Sequence, residues 1–360
     1  MKVIIASDSF KGCLSSAQVA DAVAEGILLS YPQAEVVKVP VADGGEGTVE
    51  ALGAELVKAL VSDPLGRPHE AVYGISGETA VIEVAAACGL MLLRPEERNP
   101  LVTTTRGVGE LILDAVKRGC KHFLIGLGGS ATNDGGRGMV EVPGLLEAAR
   151  GLDFTIACDV DTPFVGPAGA SRVFGPQKGA SPEDVEVLEQ RLQEYALEIL
   201  EKTGTDVREV PGAGAAGGLG GAFRAYFGAE LRRGVDMVLD AKSFDEIISG
   251  ADLVITGEGR SDFQTAKGKT PSGVLERAER QNIPVVLLSG EVALCPELEA
   301  MGFFRIEAAT PPSMPLEEAL KAETASGNIR AAAIRIMEGF VNTDNSLSLP
   351  ESPSFSGGKN

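Results

Sequence analysis

Histidine is almost missing from this chain: only His69 and His122 occur in 360 residues. Histidine-built metal centres and Ser-His-Asp catalysis therefore have little material to work with. Cysteine is sparse too. Cys13, Cys88, Cys120, Cys158 and Cys295 are odd in number, far apart and free of any C-x-x-C. That pattern excludes a disulfide framework and a cysteine zinc site, and it predicts a reduced, cytoplasmic protein. No uninterrupted apolar run approaches the ~18 residues of a membrane span. The opening MKVIIASDSF is apolar for too few residues to be a signal peptide. Positive charge is outnumbered, with 32 Lys and Arg against 51 Asp and Glu and a net charge of −19. Such a chain repels nucleic acid and anionic membranes, so neither is an expected partner. An anionic small substrate would need a locally basic pocket. The oligomeric state is not readable from these features.

Glycine, by contrast, is abundant, with 45 residues. Hydrophobic residues make up 44% and the mean hydropathy is +0.10, enough for a sizeable core. A length of 360 residues predicts two α/β domains. The most informative stretch is 126–136, GLGGSATNDGG, in which five of eleven residues are glycine. It follows the apolar run Phe123, Leu124, Ile125, which reads as a buried strand. Glycines let backbone N–H groups turn toward a ligand, and short polar side chains can then meet phosphate oxygens or a metal ion. The composition predicts a phosphate or nucleotide cradle.

Residues 3–6, 36–39, 123–125, 154–157, 253–256 and 285–288 read as strands. Residues 71–73 and 80–82 read as a hairpin. Helices are expected from about Ser16, over 107–117 and over 182–202. In the last of these, Ser181 is a good N-cap, Pro182 suits the first turn and Gly204 the C-terminal stop. Strand ends carry SDSFKG, ADGGEGT, GLGGSATNDGG, CDVD and TGEGRSD, and open α/β sheets bind ligands at such ends. The polar tail 341–360 is expected to be disordered.

Other motifs are weaker. GKT at 268–270 lacks the glycine of a P-loop five residues earlier, where Phe263 stands. Arg260, Lys267 and Lys269 still suit an anion. Residues 212–217, GAGAAG, fit the dinucleotide fingerprint after 207–210, with Asp236 downstream, so an NAD-dependent oxidoreductase is an alternative. The same small residues could instead permit close helix packing. Residues 128–132 resemble a nucleophile elbow without its last glycine. Thr103, Thr104, Thr105 and Arg106 before a helix suit an anion, or one Thr is merely the cap.

Taken together, SDSFKG at 7–12, VPVADGGEGT at 39–48, NPLVTTTRGVGEL at 99–111, GLGGSATNDGG, FGPQKGAS at 174–181, VPGAGAAGG at 210–218 and ITGEGRSDFQT at 255–265 resemble the first class of bacterial glycerate kinases. The resemblance implies phosphorylation of D-glycerate by ATP with Mg²⁺, giving 2-phosphoglycerate. It implies an α/β fold of two domains, one flavodoxin-like and one restriction-enzyme-like, with an interdomain cleft. Residues 1–66 and 245–340 would form one domain and 67–244 an insertion. The first segment would rejoin the sheet of strands 253–256 and 285–288.

On this reading Gly126, Gly128, Gly129, Ser130, Thr132 and Asn133 cradle the ATP phosphates, and Asp134 and Asp159 hold Mg²⁺. Lys11 and Arg260 stabilise the transferring group, and Arg106 or Lys178 binds the glycerate carboxylate. Asp43 and Asp262 rank above Asp8 as the base, although Asp43 and Asp8 could cap the helices that follow them. The chain departs from the family between Gly138 and Phe154, where a longer segment is usual. That shortening raises a catalytically inactive family member as a further alternative.

Overall fold

The structure is a computed structural model describing residues 1–45 and 47–347, with side chains to residue 341. Strands β1 (Lys2–Ser7) and β2 (Glu35–Lys38) come first. Then follow β3 (Glu55–Ser62), β4 (Pro68–Ser76), β5 (Thr79–Glu83), β6 (His122–Gly126), β7 (Asp153–Ala157) and β8 (Glu230–Arg232). The last are β9 (Leu253–Gly257), β10 (Arg260–Ser261), β11 (Val285–Ser289), β12 (Glu291–Val292) and β13 (Arg305–Ala308).

One sheet has the order β13-β11-β9-β1-β2, all parallel. The first segment does rejoin the sheet of β9 and β11, with Val3 opposite Leu253 and Ile5 opposite Ile255. Every residue of β9 and β11 is buried, as continuous apolar runs demand when helices cover both faces. Helices Ser16–Ser30 and Ala322–Leu347 cover one face through Val19, Val23, Ile27, Ile329 and Ile336. Helices Gly234–Ala241 and Thr270–Glu279 cover the other through Val235, Val238 and Val274.

The second sheet runs β3-β4-β5-β6-β7-β8. It is mixed: β3 to β5 are antiparallel neighbours and β5 to β8 are parallel. Helix Arg106–Lys117 packs Val108, Leu111 and Ile112 against its inner face. Outside it lies helix Pro182–Thr203, capped as its sequence predicts. Ser181 Oγ accepts from the Asp184 amide at 3.1 Å, Asp184 returns the bond, and Gly204 has φ +75°. Such a cap contributes about 1 kcal/mol.

The sheets divide the chain elsewhere than at 66 and 245. Residues 55–62 pair with β4 because Ala59 and Val61 are buried in the second core. Residues 234–241 belong with the first sheet, where they bury Val235 and Leu239. No strand forms at 207–210. The expected tail is partly helical, since Ala322–Leu347 continues past 341; residues 348–360 lie outside the described residues. Among the described residues no helix is long and apolar enough to cross a membrane.

Candidate active site

Strand β1 ends at Ser7, and the chain turns at once so that Asp8 sits nearly buried, 5% exposed. Its Oδ1 accepts from the Ser9 amide at 2.6 Å and its Oδ2 from Thr270 Oγ1 at 2.9 Å. Loss of hydration, then the charge of Asp43, pushes the Asp8 carboxyl up to about 6.

Asp43 arrives from the loop after β2. Its Oδ1 accepts from the Gly45 amide at 3.1 Å, and Oδ2 lies 3.6 Å from Lys11 Nζ. The position of this loop depends on missing side chains. Gly44, at φ +83°, lies against Ala157 at the end of β7 and against Gly234. A Cβ on Gly126 would strike the Gly44 carbonyl, and one on Gly234 would strike the Asp43 carbonyl. Glycine at these points brings the first sheet's loop onto the ends of β6 and β7. Asp159 follows β7, and its Oδ1 accepts from the Gly234 amide at 2.9 Å. Partial desolvation, with the Asp43 charge adding to it, raises Asp159 to about 6. Carboxylates from three strand ends thus share the seam, with Asp43 acting electrically on both others.

A cavity of about 820 Å³ opens beside them at the carboxyl ends of the first sheet. Asp8, Lys11, Asp43, Glu258, Arg260 and Lys269 line its charged part. Glu258 was missed as a site residue in the sequence. It is 8% exposed; Oε1 accepts from Ser261 and Thr265 hydroxyls at 3.1 and 2.6 Å, and Oε2 lies 3.3 Å from Lys269 Nζ. Its signal was its place in TGEGRSD, immediately after a buried strand. Arg260 lies 3.9 Å from both Asp262 and Glu291. Asp262 itself is outside the cavity lining, and its Oδ1 accepts from the Gln264 amide at 2.8 Å. Lys267 points over the Phe263 ring at 5.1 Å rather than into the cavity.

The loop 126–136 meets the seam only in part. Gly128 and Gly129 are exposed at the seam, with Gly128 facing Gly45. Beyond them the loop turns inward. Ser130, Thr132 and Asn133 are buried at 7%, 0% and 2% exposure. Lys178 is buried as well, donating to Ser130 Oγ at 3.0 Å and to the Thr132 carbonyl at 2.6 Å. Burial pushes its ammonium down to about 8. Asn133 Nδ2 donates to Ser171 Oγ at 3.0 Å. Asp134 Oδ2 accepts from the Thr105 amide, the Thr105 hydroxyl and the Gly138 amide at 2.8, 2.9 and 3.1 Å, and Oδ1 accepts from the Gly136 amide. Thr132 Oγ1 and Asn133 Oδ1 are buried without a hydrogen-bond partner among the described residues, and Ser130, Thr132, Asn133, Asp134 and Lys178 are all absent from the cavity lining. Arg106 is exposed on its helix and pairs with Glu110 at 2.8 Å, also away from the cavity.

The model of the glycerate kinase family matches residues 3–148 and 140–341. The chain belongs to the glycerate kinase family. A glycerate kinase of Bacillus subtilis (strain 168) is 43% identical over 356 residues, covering 89% of this chain and 93% of the relative. A glycerate 2-kinase of Escherichia coli (strain K12) is 47% identical over 327 residues, covering 81% and 86%. A crystal structure from Salmonella typhimurium LT2, of a chain provisionally called glycerate kinase 2, superposes with a TM-score of 0.85 at 42% identity. It covers 96% of this chain and 99% of that one. The two matched stretches overlap at 140–148, within the segment that the sequence marks as short. Here that segment still closes the core: Met139, Val142 and Leu145 are buried.

The family assignment displaces the dinucleotide alternative, and the geometry of 212–217 explains the false signal. No strand precedes it. Gly214 lies against the Pro163 carbonyl and Gly217 against the Thr132 carbonyl, where any Cβ would overlap backbone. These glycines serve backbone packing behind the loop 126–136.

Proposed function

We propose that this chain transfers the γ-phosphoryl group of ATP to the 2-hydroxyl of D-glycerate. The observation that carries this reading is Asp43 beside Lys11 at a cavity that also holds Arg260 and Lys269, in a chain of this family. Phosphoryl transfer is mainly positioning and charge stabilisation, with one group oriented to take the hydroxyl proton. Asp43 is that group. Its Oδ2 accepts the proton as the glycerate oxygen bonds to phosphorus and the bond from phosphorus to the ADP oxygen breaks. Lys11, Arg260 and Lys269 offset the charge on the phosphate oxygens. The exposed backbone of Gly128 and Gly129 forms the glycerate side of the seam, in place of Arg106 and Lys178.

Mg²⁺ fits the donors present. Among the described residues no group of three or more His, Cys, Asp or Glu is arranged to hold a metal. Mg²⁺ needs only one or two carboxylates and completes its shell with water and phosphate oxygens. Asp8 would hold it from the cavity side, and Asp159 through water from across the seam. Its chemistry there is neutralisation of phosphate charge.

We further infer that the two sheets are two domains with the site in the cleft between them. The order β2-β1-β9-β11-β13 is that of flavodoxin-type sheets, whose ligands sit where the strand order reverses. That point lies between β1 and β9, which carry Asp8 and Glu258. The mixed sheet would be the restriction-enzyme-like partner.

Purified protein given ATP, Mg²⁺ and D-glycerate should release ADP, and enolase should consume the product directly. Folded protein that releases no ADP overturns the reading. A product that enolase accepts only after a phosphoglycerate mutase moves the transfer to the 3-hydroxyl.

A further inference from the structure

The cavity has two unlike ends. The charged end is described above. The other is walled by Pro311, Pro312, Met314, Leu316, Leu320 and Ile329, from the segment after β13 and the start of helix Ala322–Leu347. Glycerate is a small anion in which oxygens outnumber carbons, and it has no use for such a wall. Leu316 and Leu320 are 67% and 46% exposed and line the cavity, so among the described residues this apolar surface is left uncovered. The whole cavity, about 820 Å³, lies within the ~300–1,000 Å³ range of small-molecule sites, enough for a nucleotide beside a small acid.

Thr310 and Asn328 are the polar residues at this end, and Asn328 carries the amide. Asn328 lines the cavity, and its Nδ2 donates only to Met314 Sδ, at 3.3 Å. A thioether is a weak acceptor, so this bond is readily exchanged. An Asn amide presents a donor and an acceptor side by side, which matches the N7 acceptor and N6 amino donor of adenine. Guanine offers two acceptors on the same edge and leaves the amide oxygen unpaired. An unpaired polar group in a partly dry site is what discriminates between such ligands.

The geometry points to this apolar end as the nucleobase subsite, with adenine between the Pro311–Leu320 side and Ile329 and its edge read by Asn328. The phosphates then run along the same cavity to Lys269, Arg260 and Lys11. This assignment rests on ATP being the phosphoryl donor. It moves the nucleotide from the loop 126–136, whose polar side chains are outside the cavity lining, to the ends of β9, β11 and β13.

The test is titration of ADP and GDP, each with Mg²⁺, into wild type, Asn328→Ala and Leu320→Asp by calorimetry, together with KM values for ATP and D-glycerate. Asn328→Ala should weaken ADP binding roughly tenfold and bring the ADP and GDP affinities together. The KM for ATP should rise while that for glycerate stays put. Leu320 is half exposed, so Leu320→Asp should fold and weaken both nucleotides alike. Unchanged ADP affinity in both variants overturns the assignment, as does a rise in the glycerate KM alone. Wild type that binds ADP but turns over no glycerate leaves the subsite standing and removes the kinase reading. Wild type that binds neither nucleotide removes both.

Discussion

The loops 7–12 and 126–136 both leave the carboxyl end of a parallel strand, and both carry serine, aspartate and glycine. Their polar atoms have different destinations. Asp8 and Lys11 line an open cavity, and Lys11 lies 3.6 Å from the carboxylate of Asp43 on another loop. In 126–136, Asp134 accepts four hydrogen bonds, and a buried Lys178 binds Ser130 and the Thr132 carbonyl. The second loop has the composition of a phosphate cradle, yet Ser130, Asn133 and Asp134 bond to buried groups of neighbouring segments. Glycine and short polar side chains suit ligand contact and tight internal turns equally well. What separates the two is whether the side chains line the open cavity or lie buried behind the seam.

Four substitutions can break or sharpen that contrast. The largest effect is expected from Asp43→Asn, which should lower kcat about 10²-fold or more while leaving the melting temperature near wild type. Near-normal turnover would remove Asp43 as the base. Asp134→Ala should act on stability instead. It strands the Thr105, Gly136 and Gly138 amides, at a cost of about 3 kcal/mol in urea unfolding. A large loss of kcat at unchanged stability would return Asp134 to the reacting centre.

Lys178→Met tests the buried ammonium through pH. The folded state lowers this group to about 8, so it binds its proton less tightly than the unfolded chain does. Its favourable contribution is full at high pH and lost as pH falls through about 8. Wild type should therefore gain roughly 1.4 kcal/mol on the Met variant between pH 7 and 9. A pH-independent difference would mean that Lys178 is not held as a desolvated cation. Arg106→Ala, at an exposed pair, should change stability by less than about 0.5 kcal/mol and leave the glycerate KM alone. A raised KM would restore its place in substrate binding.

Much of the fold was legible because local signals agreed. Residues 253–255 and 285–288 are continuous apolar runs, as strands covered on both faces must be. Ser181, Pro182 and Gly204 bracket a helix with no tertiary help. Residues 55–62, ELVKALVS, gave no such agreement. Leu56 and Leu60 are exposed while Ala59 and Val61 are buried, so the larger apolar groups face outward and the usual pattern is inverted. The apolar wall of the cavity was hidden for a related reason. Pro311, Met314 and Leu320 resemble an ordinary connecting loop until helix Ala322–Leu347 sets them opposite Lys269 and Arg260.

The sequence by itself determined the family, the alternation of strands and helices, and the loops from which Asp8, Lys11, Asp43, Asp159 and Arg260 come, because these are local properties of motif and period. Only the tertiary structure decided which of those loops meet. Gly44, Gly126 and Gly234 give up their side chains so that two sheets can touch backbone to backbone, and that contact sets Asp43 beside Asp159. Packing likewise turned the polar side chains of 126–136 inward. A linear string records which hydrogen-bonding groups exist. Their partners depend on contacts between residues far apart in the chain.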